Sequence, residues 1–257
     1  VLEGKGGDVR RVWRPVGEGV AVTRRVFVRR DAGGDRDFVA FNDMDVGEGK
    51  GNWADLVEYP MGPVPEGELE SVGFAVMGTL FLADDASAIP VVAIAADARR
   101  KGVVVVVDVN WRPVFWAGKG GWGAAKAKIA AFLTFVADVV KLGAEEAEFL
   151  FGVNDAMTRP DLLLTEFLPG ASAVLVTDGP RGSAAAARVV SSSSGASSIS
   201  VVTAFAKGID VASVSSAWGG AKVVDTTGAG DAFVAGCVAA LGRAAAFEAG
   251  AGVGRAG

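Results

Sequence analysis

The chain has 257 residues, 51% of them hydrophobic and 21% charged, with a net charge of −5, which suits one large globular domain or a domain with a small appendage. No apolar run reaches the roughly 18 residues of a membrane-spanning helix, and the acidic balance argues against general affinity for nucleic acid. Histidine is absent and Cys237 is the only cysteine, which excludes Ser-His and Cys-His nucleophiles, most zinc sites and any disulfide within the chain, and favours a reducing, intracellular compartment. Catalysis, if present, rests on carboxylates, backbone amides, Lys/Arg and a hard metal ion.

Residues 1 to 30 carry eight Lys/Arg against three acids. Arg24, Arg25, Arg29 and Arg30 fall in "VAVTRRVFVRRD", which reads as a strand with a solvated basic face rather than a nucleic-acid arm. Residues 1–19 remain an unassigned basic segment. The chain starts without methionine or an apolar leader and reads as a fragment or a processed product. Strands at 20–30 and 36–41 flank "DAGGD", whose Gly33 and Gly34 supply the positive-φ positions of a short hairpin connection.

Beyond the hairpin the pattern alternates. "VGFAVMG" (72–78) is a buried strand, and 84–102 a helix with Asp/Ser capping residues, Pro90 near its start and Gly102 at its stop. "VVVVVDV" (103–109) is a β-branched run expected to be covered on both faces. A helix "AAKAKIAAFLTFVA", a strand "DVVKL", a helix "AEEAEFLFG" and a strand "ASAVLVTDG" follow, so the expected fold is α/β, a doubly wound, mainly parallel sheet flanked by helices. Residues 183–222 are rich in Ser and Ala without sustained periodicity and read as a loose hairpin with an inserted loop. A helix follows from Asp231, with Cys237 packed in its apolar run.

The stretch "VVDTTGAGDAF" (223–233) carries the clearest chemistry. A helix starting at Gly230 or Asp231 presents backbone N–H groups and its positive dipole end to whatever lies over the glycines, and only such small residues admit an anion that closely. Asp231 would then stand beside the anion, placed to accept a proton from an attacking hydroxyl, an arrangement suited to phosphoryl transfer. The plain alternative is a tight strand-to-helix turn with Asp231 as N-cap. No G-x-x-x-x-G-K-[ST] occurs, and "GKGGWG" (118–123) is separated from the preceding strand by "NWRPVFWA", so it reads as an ordinary loop rather than a dinucleotide site.

"DTTGAGDAFVAG" (225–236) resembles the carboxyl-terminal motif of the PfkB carbohydrate kinases, the ribokinase and fructokinase group, which implies a ribokinase-like fold. Three more stretches agree in order: "DVNWRPVFW" (108–116) with the D-P-N-x-R segment, "KLGAEEAEFLFG" (141–152) with the acidic strand-to-helix segment, and "LVTDGPRG" (175–182) with the T-x-G-x-x-G nucleotide loop. The likeness covers about residues 20 to 242 and is nearest in wording to plant plastid members.

The resemblance implies an ATP- and Mg2+-dependent kinase acting on a sugar hydroxyl, fructose being the expected sugar. Asp231 would be the base, and Gly228, Ala229 and Gly230 the anion hole. Asp225 and Glu146 would place the metal, and Thr177, Gly179, Gly182, Asp225 and Thr226 would line the nucleotide. Asp108, Asn110 and Arg112 would face substrate or phosphate. Residues 20–60 would form part of a β lid over the sugar, a surface for homodimerisation, and 61–257 the kinase core, in the chloroplast or cytoplasm. Taken singly, Glu146 reads as a first-turn acid, Arg112 as a surface residue and Gly182 as a hairpin turn.

The sequence departs from the family pattern at several points. Residues 1–19 offer no counterpart of the family's sugar-gripping Gly-Gly strand, Gly143 stands where many members carry Asn or Ser, Val109 replaces a proline, and the family's last strand and helix have no counterpart before Gly257. These departures imply truncation at both ends and low activity of the chain alone. The rival expectation is a non-catalytic interaction module of a plastid assembly.

Overall fold

A computed structural model of the protein describes residues 26–30, 36–41, 67–116, 119–193, 196–210, 219–220 and 226–253. The chain divides into two compact units, Val1–Asn52 and Trp53–Gly257. In the first, β1 (Val26–Arg30) pairs antiparallel with β2 (Arg36–Phe41), with a register shift between Phe27 and Val28. This is the expected hairpin; Gly33, Gly34 and the stretch 20–25 lie outside the described residues.

The second unit holds a six-stranded sheet in sequential order. Strands β3 (Phe74–Met77), β4 (Val104–Asp108), β5 (Val139–Gly143) and β6 (Ala173–Thr177) run parallel, and β7 (Ser183–Ser193) and β8 (Ala196–Ala206) continue the sheet antiparallel. Helices α1 (Asp85–Arg100), α2 (Gly121–Val136) and α3 (Ala144–Phe151) fill the three crossovers, α1 packing on α2 and α2 on α3. Period-2 alternation turns Val105, Val107, Val140, Leu142, Val174 and Val176 to one face, where all six are 0% exposed. Burying each stabilises the layer by roughly 1.5–3 kcal/mol.

The opposite face is covered by α4 (Ala229–Val253), whose Val234 and Val238 pack against Val106, Val139, Val104, Ala173, Leu175 and Phe74. Residues 230, 234, 238 and 242 form its sheet-facing stripe at four-residue spacing. A Cβ on Gly230 would meet Lys141 near the carboxyl end of β5, and one on Gly242 would meet Phe74 at the start of β3. The helix therefore runs antiparallel to the strands, with its N-terminus over their carboxyl edge. Helices on both faces of a mainly parallel sheet agree with the α/β class read from the sequence. Among the described residues no helix is long and apolar enough to cross a membrane.

Two local readings need correction. The expected hairpin is present over residues 183–206 but it is not loose: β7 and β8 hold unbroken register from Ser183↔Ala206 to Ser193↔Ala196. Ser and Ala carry weak strand preference, so the order comes from pairing with β6 and from burial of Ala184 and Ala186. No inserted loop interrupts those two strands, and 211–218 lie outside the described residues. The "GKGGWG" stretch is not simply a loop either, because Gly120 caps α2 at φ 84° and Gly121–Gly123 form its first turn.

Candidate functional site

The start of α4 is built by a glycine. Gly228 takes φ 84°, the left-handed region. Its carbonyl accepts the first helical bond, from Ala232 N at 2.8 Å, while Ala229 N donates to Thr226 O at 3.1 Å. That makes Gly228 the cap residue and puts Ala229, Gly230 and Asp231 at the first three helical positions, so Asp231 is not the N-cap. Its carboxylate reaches back toward Gly228, Oδ2 lying 3.9 Å from where a Cβ on that glycine would stand. Thr226 and Asp231 are exposed.

Beneath Gly230 lies a buried ion pair that the sequence reading passed over. Lys141 and Asp108 face each other in register across β4 and β5. Both residues are 8% exposed, and Lys141 Nζ is 3.0 Å from Asp108 Oδ1. That oxygen has no partner in hydrogen-bonding geometry, so the contact is charge to charge rather than directed. Lys141 Nζ is also 3.6 Å from the place of a Gly230 Cβ. The sequence did hold a signal: a lone cation in the apolar strand "DVVKL" must be paired where the strand is covered.

Glu146 ties two elements together. Its Oε2 accepts from Gly143 N at 2.6 Å, holding the N-terminal turn of α3, and its Oε1 accepts from Trp111 N at 2.7 Å, holding the loop after β4. Burial pushes its carboxyl above the ordinary value, while the two amides and Lys141 pull the other way and Asp108 adds to the rise. Trp111, also missed from sequence, stacks on Phe149 of α3 with ring centroids 3.9 Å apart. Thr79, buried at 1% exposure, donates its hydroxyl to Val109 O. Between these clamps Asn110 is held at φ 40°, the only non-glycine positive φ among the described residues, and such strain clusters at working sites. Arg112 follows, donating to Trp111 O at 3.0 Å.

Thr177 ends β6 opposite Gly143 of β5, so the next loop leaves the sheet at the same carboxyl edge. There Gly179 (φ 48°) opens a single turn, Gly179–Arg181, and Gly182 (φ 106°) closes it. A Cβ on Gly179 would meet nothing, whereas one on Gly182 would overlap Ala206 O and lie 2.6 Å from Gly208 N. Gly182 thus has a packing reason of its own, close approach to the chain leaving β8.

The carboxyl edge brings together Asp108, Asn110, Arg112, Glu146, Thr177 and the Gly228–Asp231 turn; Asp225 lies outside the described residues. Among the latter no three His, Cys, Asp or Glu side chains converge as an ion site. Each oxygen of Glu146 accepts one amide and keeps a further lone pair, which fits a hard cation that retains its own waters better than one stripped of them.

The fold and this edge define an α/β protein with a glycine-capped helix start at the carboxyl side of its sheet. The sequence matches the pfkB family carbohydrate kinase description over residues 26–256, and the chain belongs to that family. Among solved structures, the uncharacterized sugar kinase PH1459 from Pyrococcus horikoshii is similar at 21% identity and a TM-score of 0.56, covering 91% of this chain and 60% of that one, which shows the shared fold. A PfkB protein from Polaromonas sp. JS666 shares 25% identity over 69% of this chain and 49% of its own, with a TM-score of 0.48. Fructokinase from Vibrio cholerae O395, solved with fructose, ADP and calcium ion, shares 24% over 63% and 43%, with a TM-score of 0.42. The chain thus spans between 43% and 60% of the length of these three structures. No curated protein matches it significantly.

Proposed function

We propose that the protein transfers the γ-phosphoryl group of ATP to a sugar hydroxyl, fructose being the first sugar to test. The observation that carries this reading is the start of α4 over the carboxyl edge of the parallel strands, with glycines at the cap and second helical positions and Asp231 in the first turn. In the proposed reaction the phosphate oxygens lie on the Gly228–Gly230 amides. Asp231 accepts the proton of the sugar hydroxyl as that oxygen forms its bond to phosphorus, and the bond to the β-phosphate oxygen breaks to release ADP. Thr177, Gly179, Gly182 and Thr226 line the nucleotide. Asn110 and Arg112 face the sugar or the phosphates. Glu146 and Asp225 hold the waters of a magnesium ion, which when bound neutralises phosphate charge.

Membership of a carbohydrate kinase family supports the reaction class. The test is ADP release by protein expressed from its complete gene, with ATP and magnesium, across a panel of hexoses and pentoses. Release dependent on one sugar is the expected result; no transfer to any of them overturns the reading.

A further inference from the structure

We propose that Lys141 is a phosphate-contacting residue of this site, its ammonium lying close enough to the Gly228–Gly230 turn to reach the anion bound there. The proposal rests on the kinase reading above only for what carries the phosphate.

Three observations converge. Lys141 lies under the first turn of α4, 3.6 Å from the place of a Gly230 Cβ. Two positive features, an ammonium and the positive end of a 25-residue helix, therefore meet at one point, and both favour a bound anion there. Asp108 balances the charge but takes no directed bond from it: at 3.0 Å its Oδ1 lies outside hydrogen-bonding geometry. An ammonium carries three donors, so at least two remain for another acceptor. Glu146 makes no hydrogen bond to it: its two oxygens accept from the amides of Gly143 and Trp111. Finally, Gly230 leaves room where a side chain would intrude, so a phosphate oxygen can meet the amides and the ammonium together.

The structural alternative is that Lys141 only neutralises Asp108. The two readings separate by calorimetric titration of protein from the complete gene with three probes: inorganic tripolyphosphate, ATP and adenosine. In Lys141→Met combined with Asp108→Asn, which removes both buried charges at once, tripolyphosphate and ATP should bind about 10- to 100-fold more weakly and adenosine as before. Lys141→Arg should restore most of the loss. Asp108→Asn alone keeps the cation and removes the carboxylate that repels an incoming anion, so tripolyphosphate should bind as tightly or more tightly.

A double variant with wild-type near-ultraviolet circular dichroism and unchanged tripolyphosphate affinity overturns the proposal. If the double variant does not fold, a tenfold loss of affinity in Asp108→Asn alone does the same. A wild type that binds tripolyphosphate through Lys141 yet phosphorylates no sugar refutes the kinase reading and leaves this one standing. Active enzyme with Lys141-independent binding does the reverse, and a wild type that binds neither tripolyphosphate nor ATP refutes both.

Discussion

If the proposed anion cradle is right, Gly230→Ala separates folding from function at a single residue. Its φ is not in the left-handed region, and an added Cβ would meet the Lys141 ammonium at ordinary contact distance. Alanine is the better helix former by up to about 1 kcal/mol. Gly230→Ala should thus raise the urea midpoint or leave it unchanged while cutting phosphoryl transfer at least tenfold, because the methyl group occupies the anion's approach. A variant as active as the wild type would remove Gly230 from the cradle. Glu146 gives a second prediction. Its folded carboxyl keeps its proton above the ordinary 4.5, so just above that pH the folded state binds more protons than the unfolded one, and this group's contribution to stability falls as pH rises. The stability advantage of the wild type over Glu146→Gln should shrink as pH rises from about 4.5 toward neutrality; an advantage independent of pH would contradict the burial argument.

Among the elements, the turn after β6 is the most constrained by packing. Gly182 combines φ 106° with backbone on the side where a Cβ would point, whereas Gly179 has φ 48° and open space. Gly182→Ala should cost about 2 kcal/mol or more in urea unfolding, and Gly179→Ala about 1 kcal/mol, the left-handed penalty alone. Equal costs would mean that the approach of residues 206–208 is looser than described. This turn also shows what the sequence can and cannot reveal. The T-x-G-x-x-G pattern marks its glycines, but nothing local says that one of them meets a segment 24 residues downstream. Strands β3 to β6 and helices α1 to α4 were legible because β-branched runs and apolar periodicity are local signals. For β7 and β8 only a hairpin was legible; the length and register of the ladder were not, because Ser and Ala bear no such mark and its register is set by partners. Likewise the glycines of the α4 turn and Asp231 announced themselves, while Lys141, Trp111 and Thr79 matter through contacts 30 to 38 residues apart in sequence.

At the scale of the whole molecule, sheet and helices form a frame that delivers one helix start to the carboxyl edge of four parallel strands. The 0% exposed valines and leucines of the α1–α3 face make that layer rigid, while α4 covers the other face through a narrow stripe headed by Gly230. The resulting claim is that the frame exists to place Asp231 beside a bound phosphate. Asn at position 231 is nearly the same shape and gives up only a first-turn charge worth about 0.3–1 kcal/mol, but it cannot take a proton. The most direct test is the rate of sugar-dependent ADP release by Asp231→Asn beside the wild type, with ATP affinity and thermal midpoint measured on the same samples. A loss of about 10²–10⁴-fold in turnover, with ATP binding and stability close to wild type, is the predicted result; turnover equal to the wild type would contradict the assignment of the base and with it the site.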